Sequence, residues 1–328
     1  MVAATIRRNT TFSGVRPLDP ARDLTGVADL LAVSFRGEMD AGGERAVSEM
    51  RTFGRLGPLA WWMELFVPIG DGFAPGFVYV DAGRVVGNAT VRRAPASGRG
   101  HIVGNVAVLP EYRGRGIARQ LMAACIERAR EEGAAWVALE VGVDSTPARH
   151  LYQSLGFQQT GAVAQLRREA GSPWSGMSTQ ASAWVRKPRA GEETQVFSLA
   201  RSATPEGLRW AEPLRESEFV FGWDRKIDLW LSGRSEAWWV VEAESKIVGA
   251  IEAEMFRGSR DEGRLRMWVA NGYRFHAELI QAALRAHPLA SRTVRLTHPA
   301  EDVDALRVFE PYGFRLVRTL AHMKLNLR

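Results

Sequence analysis

The chain has 328 residues, which at about 100 to 200 residues per domain accommodates two compact units. Its 43 basic and 37 acidic residues leave a formal net charge of +6, with Arg interleaved among Asp and Glu rather than gathered on a tail, so a nucleic-acid partner is set aside. A single cysteine, Cys125, excludes an internal disulfide and a thiolate metal cluster, and no run of about 18 apolar residues offers a membrane span, so the expectation is a metal-free, cytoplasmic protein with no membrane partner and no signal peptide.

In chain order, Val27–Phe35 reads as a helix, and the Gly- and Trp-containing stretch from Thr52 to Pro75 as a helix and a loop over a cleft. Phe77–Val80 and Arg84–Val91 read as a hairpin around Asp81-Ala82-Gly83. From His101 the apolar run Ile102, Val103, Val106, Ala107, Val108 is that of a strand buried on both faces, closed by Pro110. Apolar residues then recur at Ile117, Leu121, Ala124 and Cys125 with charges between them, the pattern of a core-facing helix that Gly133 stops. Trp136–Val143 is a second buried strand carrying one charge, Glu140. A short helix follows from Thr146-Pro147, with Ala148, Leu151, Tyr152 and Leu155 on one side and Gly156 at its end.

The C-terminal half repeats this order. Ala305–Phe314 parallels Ala148–Phe157, and Val240–Ala243 with Ile247–Gly249 parallels the first hairpin. Between the halves Ala170–Glu193 is rich in Gly, Ser, Pro and Arg, with a strand expected near Ala181–Val185. The reading is a duplicated domain: residues 1–170, a connection at 171–193, and a second copy at 194–328.

The turn from Val108 to Ala118 carries the chemistry. A strand runs through a Gly-containing turn straight into a helix, so unpaired N–H groups converge where the helix dipole is positive, which is a place for phosphate. Gly114 and Gly116 let backbone approach a ligand without a Cβ, and Arg113 and Arg115 add charge. Glu140 is the candidate base, since a carboxylate in a central strand is costly unless it faces a cleft; His101, opening the other strand, is the runner-up and otherwise reads as a surface histidine.

Val106-Ala107-Val108-Leu109-Pro110-Glu111-Tyr112-Arg113-Gly114-Arg115-Gly116-Ile117-Ala118 resembles the acyl-CoA motif of the GNAT superfamily of N-acetyltransferases, and Ala148, Leu151-Tyr152 and Gly156-Phe157 match that family's next helix. The resemblance extends in element order over about residues 10–170 and is strong over 101–161. It implies an α/β fold of two tandem GNAT-like domains, each a central, mostly antiparallel mixed sheet flanked by helices. It also implies acetyl-CoA as co-substrate, with Val106, Ala107 and Val108 along the pantetheine arm and the amides from Arg113 through Gly114, Arg115, Gly116 and Ile117 to Ala118 at the pyrophosphate. Tyr152 would be the acid at the sulfur and Glu140 the base. Ser145 stands where the family often has Asn and can make one hydrogen bond to the cofactor arm. The implied reaction is direct transfer of acetyl to a primary amine of a small molecule or a protein N-terminus or side chain, by a monomer or homodimer; the competing reading is an acyl-CoA sensor without turnover. In the second copy Phe309 replaces Tyr152 and Arg274 falls at the place of Gly116, so that copy is expected to be catalytically silent.

Overall fold

The computed structural model describes residues 12–37, 39, 41–56, 75–94, 99–173, 184–211, 213–256, 262–286 and 288–327. Packing separates two units. The first comprises residues 1–139, 151–157 and 324–328; the second, residues 140–150 and 158–323. These packing units cut the chain elsewhere than the sequence repeat does, because residues 140–150 and 158–170 pack with the second unit and the last five residues with the first.

In the first unit, β1 (Gly14–Pro17), β2 (Gly76–Asp81), β3 (Arg84–Arg93) and β4 (Gly100–Val108) follow one another antiparallel, and β5 (Trp136–Gly142) joins β4 in parallel. The β2–β3 turn takes positive φ at both Ala82 and Gly83, 48° and 80°, the turn whose twist matches the strands it joins. Helix α1 spans Pro20–Ser34 and starts well before the expected Val27: the Asp19 side chain accepts the Ala21 N–H and Pro20 opens the helix, a start signal that the apolar pattern alone passes over. Helix α2 covers Ala41–Leu56, so the helix expected within Thr52–Pro75 begins upstream, and residues 57–74 of that stretch lie outside the described residues. Helix α3 (Ile117–Glu131) lays Ile117, Leu121, Met122, Cys125 and Ala129 on the sheet, all nearly or wholly buried. Gly87 permits that approach, since a Cβ there would stand 2.9 Å from Ile117 Cγ2 and 3.0 Å from Leu121 Cδ1. Helix α4 runs Thr146–Ser154, and Gly156 (φ 91°) ends it. The end of the chain completes this unit, where Leu327 N–H donates to Ala135 O at 2.8 Å.

The second unit holds the sheet order β12-β6-β11-β10-β9-β8-β7. Its strands are β6 (Gln158–Arg168), β7 (Val185–Arg186), β8 (Arg234–Ala243), β9 (Lys246–Phe256), β10 (Glu262–Val269), β11 (Thr293–Pro299) and β12 (Phe314–Asn326). Most of the strand expected near Ala181–Val185 lies outside the described residues; β7 is the part described. Its helices are α5 (Glu193–Ala203), α6 (Trp223–Leu231), α7 (His276–Ala286) and α8 (Val303–Phe309). The run β8-β9-β10-α7-β11-α8 reproduces β2-β3-β4-α3-β5-α4, down to the parallel pairing of β10 with β11 across the helical crossover. Beside β11 lies β6, antiparallel, the strand that follows α4 in sequence. Arg168 at its end is 1% exposed and donates to the carbonyls of Tyr312 (2.9 Å), Ala290 (3.1 Å) and Ser172 (2.5 Å). One core gathers Leu265, Leu279, Ile280, Leu296, Phe309 and Phe314, and a second stacks Phe219 with Trp238 and Trp268.

Candidate active site

Strands β4 and β5 pair only at Gly100–Trp136, His101–Val137 and Ile102–Ala138, then part. Within β4 a bulge intervenes: Asn88 opposes Ala107 and Thr90 opposes Gly104, so β4 carries one residue more than β3. Asn105 takes the left-handed conformation (φ 52°) that Asn tolerates better than most side chains. Asn88 Nδ2 donates to Asn105 O (3.0 Å) and Thr90 Oγ1 to Gly104 O (3.0 Å), which ties the bulge to β3. Beyond it Leu109 N–H donates to Val86 O (3.0 Å) on β3, so by strand alternation the Val108 N–H points to the other side, where pairing with β5 has ended.

After Val108 the chain makes one 3₁₀ turn at Pro110–Tyr112, with Tyr112 N–H on Leu109 O and Arg113 N–H on Pro110 O. Gly114 and Gly116 both take positive φ, 77° and 74°, and α3 begins with Gly116 as its N-cap. Among the described residues no side chain caps that helix, and the amides from Gly114 to Ala118 find no internal acceptor. A Cβ at either glycine would meet nothing within 4 Å, so each faces open space. The arginines brace the backbone: Arg113 Nε donates to Val108 O (3.2 Å), Arg115 donates to Glu111 O (3.0 Å) and lies over the Tyr112 ring. These features fit a diphosphate, because exposed amide donors at a positive helix end have no competing acceptor from the protein.

In the same unit Tyr152 is 6% exposed, tilted against Phe157 at a centroid separation of 6.0 Å. Burial, and secondly Cys125, push its phenol up to about 12, so it is a neutral donor throughout the physiological range. Cys125 is wholly buried and its thiol is likewise pushed up to about 12 by burial, which leaves it inert as a nucleophile. His101 is no surface residue: it is 4% exposed, its Nε2 2.9 Å from Glu132, which also binds Arg93 and Arg128. These partners, His101 first and Arg128 second, lower the Glu132 carboxyl to about 2. His101 sits seven residues before Val108 on β4, about 23 Å away at ~3.3 Å per residue, and so is not brought to the glycine turn.

Glu140 and Ser145 pack with the second unit. Glu140 is exposed between buried Leu139 and Val141, as strand alternation predicts, and its Oε1 lies 3.5 Å from Nε2 of His322. His322 is 2% exposed, lies tilted against Trp210 at a centroid separation of 5.0 Å, and neither of its ring nitrogens has a hydrogen-bond partner among the described residues. Burial lowers the imidazole to about 4. Both residues face a cavity of about 460 Å³ whose other walls include Arg266, Trp268, Thr297 and Glu301. Ser145 is exposed at the start of α4, its N–H on Gly142 O (3.0 Å). Sequence reasoning missed His322, 182 positions from Glu140 and carried by a strand with no motif.

Residues 44–157 match the model of the acetyltransferase (GNAT) family. Over those residues the chain is similar to a GNAT acetyltransferase domain. The GNAT match covers the glycine turn and Tyr152. Among curated proteins, a putative [ribosomal protein bS18]-alanine N-acetyltransferase of Bacillus subtilis is 39% identical over 57 residues, 17% of this chain and 38% of the relative. A mycothiol acetyltransferase of Brachybacterium faecium is 30% identical over 159 residues, 48% of this chain and 45% of the relative. The chain thus spans less than half the length of either. Among solved structures, a GCN5-related N-acetyltransferase from Sphaerobacter thermophilus aligns at a TM-score of 0.62 and 17% identity, covering 96% of this chain and 95% of that one. A tandem GNAT protein from the clavulanic acid biosynthesis pathway aligns at 0.55 and 16%, covering 95% and 98%. At that identity these two likenesses show the fold alone.

Proposed function

We propose that the N-terminal repeat is an acetyl-CoA-dependent N-acetyltransferase that moves acetyl to a primary amine by direct attack on the thioester. The observation that carries this reading is the row of amides from Gly114 to Ala118, at the positive end of α3, without an internal acceptor. Acetyl-CoA supplies the activated acyl group. The Gly114–Ala118 amides hold its diphosphate with Arg113 and Arg115 adding charge, the main chain of Val106, Ala107 and Val108 pairs with the pantetheine arm, and Ser145 contributes one side-chain hydrogen bond. The Val108 N–H, turned away from β3, polarises the thioester carbonyl. Glu140 accepts the proton that an ammonium of pKa about 10.4 must lose before it attacks. Tyr152 hydrogen-bonds the departing sulfur as a neutral phenol, its pKa pushed up to about 12 by burial. The inert, buried Cys125, the chain's single cysteine, supports direct attack over an acyl-cysteine route. His101, occupied by Glu132, is assigned to packing rather than proton transfer.

One relative's name gives it an alanine of a ribosomal protein and another's name contains mycothiol; for this chain a small molecule or a protein N-terminus is proposed as acceptor. Free-thiol release from acetyl-CoA with a panel of amines tests the activity. Turnover that falls at least tenfold in Glu140→Gln supports the assignment; acetyl-CoA binding with no thiol release on any amine leaves a non-catalytic acyl-CoA sensor instead. Absence of acetyl-CoA binding refutes both.

A further inference from the structure

The second repeat departs from the first at four positions that converge on one spot. Pairing Leu121 with Leu279 sets His276 opposite Ala118, the residue at the phosphate turn; pairing Ala148 with Ala305 sets Asp302 opposite Ser145, His298 opposite Val141 and Phe309 opposite Tyr152. In the fold, His276 opens α7, His298 lies near the end of β11 and Asp302 is the N-cap of α8. Three separate elements thereby bring two imidazoles and a carboxylate together, with one ligand atom of each within 4.8 Å of the others.

The carboxylate is fixed and divided in its duties. Asp302 Oδ1 accepts the Ala305 N–H at 3.1 Å as the helix cap, which leaves Oδ2 aimed at both rings, 3.1 Å from His298 Nε2 and 3.8 Å from His276 Nε2. The rings stand perpendicular to each other at 88°, and both set an edge-to-face contact on Phe309, at 6.1 and 5.3 Å. Phe309, wholly buried, is thus a wall that holds two imidazoles where the first repeat has a phenol. Nitrogen and oxygen ligands at about 2.0 to 2.2 Å from a tetrahedral ion lie roughly 3.3 Å apart; the carboxylate oxygen is 3.1 and 3.8 Å from the two ring nitrogens and the set spans up to 4.8 Å, so side-chain rotations of about an ångström would close it on an ion.

We propose that His276, His298 and Asp302 form a binding site for a divalent first-row transition ion of the zinc class, built where the second repeat has given up its cofactor turn. Two imidazoles exclude magnesium and calcium, which take oxygen donors. Three protein ligands leave at least one position open, and all three residues line the cavity of about 460 Å³ that also holds Glu140, Arg266 and His322. The open position therefore faces space large enough for a small ligand as well as water. The site stands independently of acetyl transfer, and it departs from the metal-free expectation, which rests on the lone cysteine and does not weigh histidine with carboxylate.

The test is calorimetric titration of the untagged, chelator-treated full-length protein with zinc chloride at neutral pH, with cobalt(II) as a visible-absorption probe of coordination. Expected are one ion per chain at micromolar Kd or tighter, d–d bands of a four- or five-coordinate cobalt ion, and at least tenfold weaker binding in His276→Ala, His298→Ala and Asp302→Asn. Asp302→Asn keeps the cap acceptor for Ala305 and His276→Ala removes a side chain at a helix start, so these two decide the matter if His298→Ala does not fold. His150→Ala, an exposed histidine away from the cluster, is expected to bind as the parent does. Failure to bind zinc below millimolar concentration, undiminished affinity in all three ligand variants, or a loss in His150→Ala equal to theirs overturns the proposal.

Discussion

Replacing Gly116 by alanine separates the strain of the glycine turn from its work on a ligand. At φ 74° an L side chain costs about 1 to 2 kcal/mol, and because nothing lies within 4 Å of the added Cβ no steric cost joins it. Gly133 is a matched control at the far end of the same helix: its φ is also 74° and its Cβ would also meet open space. Both variants should therefore lose about the same stability in denaturant unfolding, roughly 1 to 2 kcal/mol. Only Gly116→Ala puts a methyl within the amide row proposed to hold the diphosphate, where losing one hydrogen bond to a charged group costs about 1.5 to 3 kcal/mol, or a Kd weakened about ten- to a hundredfold. Ligand-induced stabilisation reads this directly: acetyl-CoA at a hundred times the parent Kd should stabilise the parent and Gly133→Ala by about 2.7 kcal/mol, and Gly116→Ala by about 0.4 to 1.4 kcal/mol. Equal acetyl-CoA stabilisation of the two variants would refute the assignment of the turn.

Tyr152→Phe should lower kcat at least tenfold with acetyl-CoA affinity unchanged, and the parent's pH–rate profile should show no titration of Tyr152 below its value of about 12; an unchanged kcat removes the residue from the reaction. Full-length protein should bind one acetyl-CoA, since Phe309 and Arg274 have replaced the phenol and the second glycine in the C-terminal repeat; a stoichiometry of two by calorimetry contradicts that. His322 is held at about 4 in the fold against about 6.5 when unfolded, so the unfolded chain binds the extra proton and stability falls as pH drops from about 6.5 to 4, by up to about 3.4 kcal/mol. Glu132, lowered to about 2, acts in the next window, its stabilisation present above about 4.5 and lost as pH falls towards 2; His322→Phe should lessen the first fall in unfolding measurements, the remainder belonging to His276, which burial also lowers to about 4, and leave the second. Arg168→Met should destabilise the protein by about 3 kcal/mol or more in denaturant melts, because three carbonyls at the end of β6 lose their buried donor; a loss below about 1 kcal/mol argues that water replaces it.

Local patterns carried much of this architecture. Periodicity and turn residues located both hairpins, α3 and α4, and the glycine turn, because each is decided within about a dozen neighbouring residues. Gly104-Asn105 inside an apolar run was a legible sign of the bulge in β4, yet neighbouring valines made the run read as a plain strand. His101 reads as surface because its burial depends on Glu132, which reaches it from the end of α3. The gathering of His276, His298 and Asp302, like that of Glu140 and His322, joins elements far apart in the chain, and no spacing rule announces it. The repeat itself was visible, whereas the units into which it packs were not, since which sheet receives β6 and the last residues is set by pairing partners and not by propensity.

The placement of residues 324–328 has a temporal consequence. Leu327 donates to Ala135, so the sheet that bears the glycine turn gains its final rung only after the ribosome has made residues 158–323, the bulk of the other unit. Completion of the first unit thus does not follow chain order, and a nascent chain halted before Lys324 lacks that hydrogen bond.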